Sequence, residues 1–204
     1  MTKKENLLET VKIKFLKGQA IDGAISSAVR ECSNVYQAKE NDRNEARKFW
    51  KEQLSALGES YIANQEKRPY SEVVISLQKM INDNYADVFT GSGIRIAQCH
   101  KSLSVYLKWL WCLGIMKTVP PSCPFDREIL TKAIKVLKES TERGKTEYQE
   151  LVKVLNDNIA WSSLDSLNDY KKILRALDKV GELQESRAAE WELKEWNKNL
   201  LNNM

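Results

Sequence analysis

The chain has 204 residues, 32 Lys and Arg against 28 Asp and Glu, and a formal net charge of +4; 42% of it is hydrophobic and 29% charged. That length buries a sizeable core as one domain or as two small ones, with a division near residues 87 and 88. Eight glycines and four prolines exclude a collagen-like or low-complexity chain, and the apolar content excludes wholesale disorder. No run of eighteen apolar residues exists, and the longest candidate, Leu103 to Met116, is interrupted by Lys108, so no membrane partner is expected. The opening Met-Thr-Lys-Lys-Glu-Asn lacks an apolar secretion core, which makes a cytoplasmic protein the expectation.

In chain order, Leu7, Val11 and Phe15 mark a first helix ending near Gly18, and Ile21, Ala24, Ile25, Ala28, Val29 and Cys32 mark a second. Lys39 to Arg47 is too polar to bury much; Ala46, Phe49, Trp50, Leu54, Leu57 and Tyr61 then follow the helical period. Pro69 punctuates, and Ser71 opens a helix carrying Val74, Leu77, Met80 and Ile81 that ends around Asn82 to Tyr85. Later stripes fall at Leu130-Ala133-Ile134-Leu137, Tyr148-Leu151-Val152-Leu155, Tyr170-Ile173-Leu174-Leu177-Val180 and Ala189-Leu193-Trp196-Leu200. Ser166 with Asp169 reads as a capping box, and Gly144 and Gly181 read as helix ends. No strand-like alternation is sustained, so the predicted class is all-α: a compact multi-helix domain with a buried central helix at about residues 97 to 114.

The charge is unevenly placed. Between Asp87 and Asp126 no acidic residue occurs, and the four basic residues of that interval, Arg95, Lys101, Lys108 and Lys117, account for the whole excess. The same interval holds the only histidine, His100, three of four cysteines and three of four prolines. Its helix is apolar almost all round, as befits a helix surrounded by others. Lys101, Ser104 and Lys108 share one stripe of it, either the strip that reaches solvent or a basic strip lining a cleft suited to a phosphate backbone.

Cys32, Cys99, Cys112 and Cys123 contain no C-x-x-C pair and have no second histidine beside them, which predicts packed thiols, no metal site and no cofactor. Cys99 and His100 are adjacent, but neighbouring side chains on a helix diverge by about 100°, so they are not preset for proton transfer. In Val119-Pro120-Pro121-Ser122-Cys123-Pro124-Phe125-Asp126, the prolines enforce an extended approach that delivers Asp126 to a helix N-terminus. There it serves as an N-cap, or as a carboxylate held for catalysis. Phe89-Thr90-Gly91-Ser92-Gly93-Ile94-Arg95-Ile96-Ala97 is either a plain interhelical turn or a nest of N–H groups for an anion.

A glycine turn opening an apolar helix, a proline loop, and an aspartate at the next helix N-terminus together resemble the core of the helix-hairpin-helix DNA glycosylases, over about residues 89 to 130. The resemblance implies that Gly91 and Gly93 hold the DNA backbone, with Arg95, Lys101 and Lys108 as further contacts, and that Asp126 assists cleavage of the glycosidic bond of a flipped-out base. Thr90 stands at the hairpin proline position and Arg95 or Ile94 at the hairpin lysine position; counted back from Asp126 instead, Lys108 takes the lysine position with no glycines before it. A flipped base needs aromatic faces, for which Trp109, Trp111, Tyr106, Phe125 and Trp161 are candidates where they are not core. The expected function is thus a DNA-binding protein resembling a monofunctional glycosylase. The alternatives are a non-catalytic helical module that binds a partner or a second copy through its Trp191 and Trp196 helix, and a nucleic-acid binder without chemistry.

Overall fold

The 3.6-residue periodicity of the sequence is realised as eight α-helices in the computed structural model, which describes residues 3–30, 35–142 and 148–198. They are α1 (Lys3–Arg30), α2 (Glu40–Ile62), α3 (Tyr70–Tyr85), α4 (Ile96–Cys112), α5 (Arg127–Glu142), α6 (Gln149–Asp157), α7 (Leu167–Leu183) and α8 (Ala188–Trp196). Short 3-10 turns lie at Ala86–Val88 and Trp161–Ser163. Among the described residues there is no strand, only an isolated bridge between Tyr36 and Phe89, and the class is all-α. Cys32, Gly144 and Leu200 lie outside the described residues.

The two helices expected on either side of Gly18 are one. A glycine inside a helix costs about 1 kcal/mol relative to alanine, too little to stop a helix whose following turns are packed. Those turns carry Ala20, Ile21, Ala24, Ile25 and Ala28, all buried, and α1 packs most extensively on α4. The earlier stripe is helical but not buried: Val11 and Phe15 are 56% and 64% exposed. The polar stretch after Lys39 is also helical, since Glu40 and Asp42 suit the positive end of the α2 dipole. Ser166 accepts the Asp169 N–H at 3.3 Å and starts α7 as its cap. Gly181 lies inside α7 rather than after it, where it admits the backbone of residues 186–188 closer than a Cβ would allow.

The central helix is α4, enclosed by α1, α2, α3 and the Trp161 turn. Leu103, Tyr106, Leu107 and Leu110 are fully buried, and the Trp50 indole N–H donates to the Ser102 hydroxyl at 3.2 Å. Tyr106 lies across Gly58 of α2, where any Cβ would stand 2.5 Å from its ring. Past α4 the chain reverses at Gly114 (φ +69°), with the N–H groups of Ile115 and Met116 both donating to the Leu110 carbonyl.

Entry into α4 needs glycine for a specific reason. Gly91 and Gly93 have φ of +80° and +128°, and a Cβ on Gly93 would overlap the Asn82 carboxamide. That carboxamide clamps the turn, accepting from Ile94 N–H at 2.8 Å and donating to the Ile94 carbonyl at 3.1 Å. Gly93→Ala is expected to lower unfolding free energy by about 2–4 kcal/mol, combining backbone strain with loss of the clamp. Gly91→Ala, with open space around it, should cost only about 1–2 kcal/mol. Urea denaturation of the two variants checks the ordering, and equal losses would exclude the clamp.

Candidate functional site

Asp126 is placed by two covalently fixed neighbours, the proline loop before it and α5 after it. Its Oδ1 accepts the Ile129 N–H at 3.0 Å, which is the N-cap bond of α5. Its Oδ2 accepts from Lys101 Nζ at 3.0 Å in an ion pair that is buried on both sides. The ammonium also donates to the Phe125 carbonyl at 3.4 Å and lies 5.3 Å from the centroid of the Trp161 ring. Lys101 is therefore held from three directions, and Asp126 serves as cap and counter-ion at once.

Two turns along α4, Lys108 is met by α8. Its Nζ donates to both carboxylate oxygens of Glu192, at 2.7 and 2.8 Å, and lies 5.9 Å from the Trp196 ring centroid. Burial pushes the Glu192 carboxyl above the usual carboxylate range, and the Lys108 charge opposes the rise. Both pairs line a cleft of about 520 Å³, walled by the last turns of α1 (Ser27, Arg30), by α4, by Pro124 and Asp126, and by α8. Trp109 and Trp196 stand at it 48% and 53% exposed.

The loop that carries Asp126 is locked from behind by His100. Its Nε2–H donates to the Cys123 carbonyl at 3.1 Å, its Nδ1 accepts from the Tyr170 hydroxyl at 3.0 Å, and its ring stacks on Phe125 at 4.1 Å. Burial away from any carboxylate drives the imidazole pKa down to about 3, so the ring is neutral and built into the fold. Cys99 and Cys123 are buried beside it, and burial raises both thiols well above their ordinary range. Cys99 and His100 make no nucleophile pair: the imidazole is spent on Tyr170 and Cys123.

Lys101 and Lys108 of the Lys101, Ser104 and Lys108 stripe border the cleft, but as members of ion pairs and not as free cations. Ser104 is fully buried and returns its hydroxyl to the His100 carbonyl at 2.7 Å, while each lysine is taken by a carboxylate from another helix or its cap. Gly91, Gly93 and Arg95 lie at the other end of α4, away from the cleft. The N–H groups of Ile94, Arg95, Ile96 and Ala97 are engaged by Asn82, Gln98, Asp165 and the Leu164 carbonyl, so these four amides hold the chain rather than an anion. Arg95 stays exposed and donates to the Ser162 carbonyl at 3.3 Å.

Of the aromatic candidates, only Trp109 reaches the cleft. Trp111, 200° further round α4, packs against the core on the other side; Tyr106 and Phe125 are fully buried; Trp161 is buried against Lys101. On α8 only one of the two tryptophans is exposed: Trp191, off the periodic stripe, is buried and Trp196, on it, is exposed. The helix is nine residues long and turns Ala188, Ala189, Trp191 and Glu192 inward. Sequence reasoning missed Arg30 and Glu192, each of which reads as an ordinary charge on an exposed helix. Among the described residues no group of three or more His, Cys, Asp and Glu is placed to hold a metal, and no helix is long and apolar enough to cross a membrane.

With this geometry in hand, comparison with family models, curated proteins and solved structures finds no match to the chain. The residues themselves must carry the functional reading.

Two outcomes are expected of the site. Asp126→Asn keeps a capping side chain but removes the charge, and Lys101→Met removes the other; each should destabilise by about 3 kcal/mol, because the survivor is a buried unpaired ion. In urea denaturation the double variant should lose less than the sum of the two, whereas additive losses would mean that the charges are not coupled. The second outcome concerns His100. The unfolded chain takes up this proton near pH 6.5 and the folded one not until about 3. Its share of stability is full above 6.5 and is lost as pH falls toward 3, by about 1.2 kcal/mol per unit between pH 6 and 5. The ring proton signals of this single histidine should stay at neutral positions in NMR spectra down to pH 5; an inflection near 6.5 would refute the assignment.

Proposed function

We propose that the protein binds DNA and accepts an extrahelical base in the cleft bounded by α1, α4 and α8, as a monofunctional glycosylase does. The observation that carries this reading is Asp126: a carboxylate fixed by its own helix N-terminus and by a buried lysine, on the wall of a cleft flanked by two exposed tryptophans. Taking a base out of the stack costs a few kcal/mol, which stacking on Trp109 or Trp196 offsets. As the bond from sugar to base breaks, its electron pair leaves with the base and positive charge develops on the sugar. A preorganised carboxylate stabilises that charge without reorganising. Water then adds to the sugar carbon, and the proton it gives up goes to the departing base, so that a hydroxylated sugar and the neutral free base result. Lys101 acts through Asp126: it holds the carboxylate in place rather than gripping the phosphate backbone.

A second reading has its own support, because Trp109, Leu113 and Trp196 give the same cleft an exposed apolar rim, as in a site for a partner protein or a second copy. Base release separates the two. Wild-type protein incubated with duplexes bearing assorted modified bases should liberate free base from at least one, and Asp126→Asn should do so at least about 100-fold more slowly. Equal rates in the two proteins, or release from none of the duplexes, would leave the docking reading in possession of the cleft.

A further inference from the structure

Among the described residues the cleft has five charged side chains: Arg30, Lys101, Lys108, Asp126 and Glu192. Four of them form two ion pairs, Lys101 with Asp126 and Lys108 with Glu192. Arg30, in the last turn of α1, has no carboxylate partner among the described residues and is exposed on the cleft rim. Among the described residues the cleft thus offers one uncompensated cation, which matches the single negative charge of one phosphodiester. It is also the cation best shaped for that task, since a guanidinium presents a planar fork of donors to phosphate oxygens. Val105, Trp109, Leu113 and Trp196 supply the apolar surface for a ring. A volume of about 520 Å³ is that of a pocket for one small ligand and not of a groove for a duplex.

We infer that the cleft seats one nucleotide of a strand, its ring against Trp109 and Trp196 and its phosphodiester on Arg30. The inference rests on the nucleic-acid reading above and moves the phosphate contact from α4 to α1. Lys101 and Lys108 are each already paired with a carboxylate, so neither adds net positive charge to the cleft.

The test is fluorescence anisotropy with a labelled DNA duplex carrying one unpaired base, titrated with the full chain at several salt concentrations. Arg30→Gln should fold as the wild type does, because the side chain is exposed and unpaired, and should weaken binding about tenfold while lowering the log-log salt slope by about one phosphate contact. Trp109→Ala should also weaken binding about tenfold, with the slope unchanged, because stacking releases no counterions. Binding by wild type that Arg30→Gln leaves untouched in both affinity and slope overturns the Arg30 assignment and leaves the nucleic-acid reading standing. Absence of wild-type binding to the duplex overturns both. A nucleoside monophosphate serves as the second probe: if it binds wild type and not Arg30→Gln while the duplex does not bind, the cleft takes free nucleotides and the strand reading falls.

Discussion

The interaction on which this architecture turns is the buried contact between the Lys101 ammonium and the Asp126 carboxylate. Two ions withdrawn from water are tolerated only when each finds its counter-charge and its remaining hydrogen bonds. Here Lys101 is also bonded to the Phe125 carbonyl and covered by Trp161, and Asp126 also receives the first turn of α5. The pair therefore fixes the angle at which α5 leaves the proline loop and the depth to which that loop sinks against α4. His100 completes the arrangement from behind, tying the loop to α7 through Cys123 and Tyr170. Contacts from α4, α5 and α7 thus converge on the one loop that carries Asp126.

The second pair, Lys108 with Glu192, ties α8, which packs on α7, to the central helix. Trp196 stands at the cleft with Trp109. Both pairs join α4 to an element distant in sequence, so the cleft is a product of long-range packing. Arg30 is the exception, a cleft cation with no carboxylate partner among the described residues.

Much of the fold was legible from the chain. The stripes at Leu54, Leu77, Leu137 and Leu177 each mark a helix face that is buried, and the all-round apolar segment after Leu103 is the central helix. A local signal erred where its cost was small: Gly18 did not end α1. The site was legible in part. Asp126 follows from the proline loop, because backbone restrictions act within a few residues. Its partner did not follow, since the stripe of Lys101, Ser104 and Lys108 shows which side chains share a face but not what that face meets. The stripe through Trp196 did not show which face of α8 is covered, for the same reason: on a nine-residue helix, the neighbouring helix and not the period decides which face turns in.

The sequence by itself determined the helical class, the burial of the central helix, the end of α3 near Tyr85 and the position of the capping aspartate, all of which rest on forces that act over a few residues or along one face. It also showed an acid-free interval carrying the whole net charge, with the look of a basic surface. Only the tertiary structure decided that this surface does not exist as such. Asp126 and Glu192 arrive from beyond the interval and neutralise two of its lysines, since a buried ammonium recruits a carboxylate wherever the fold can bring one. The cation left free at the cleft lies 71 residues before Lys101, in a helix whose sequence gave it no distinction.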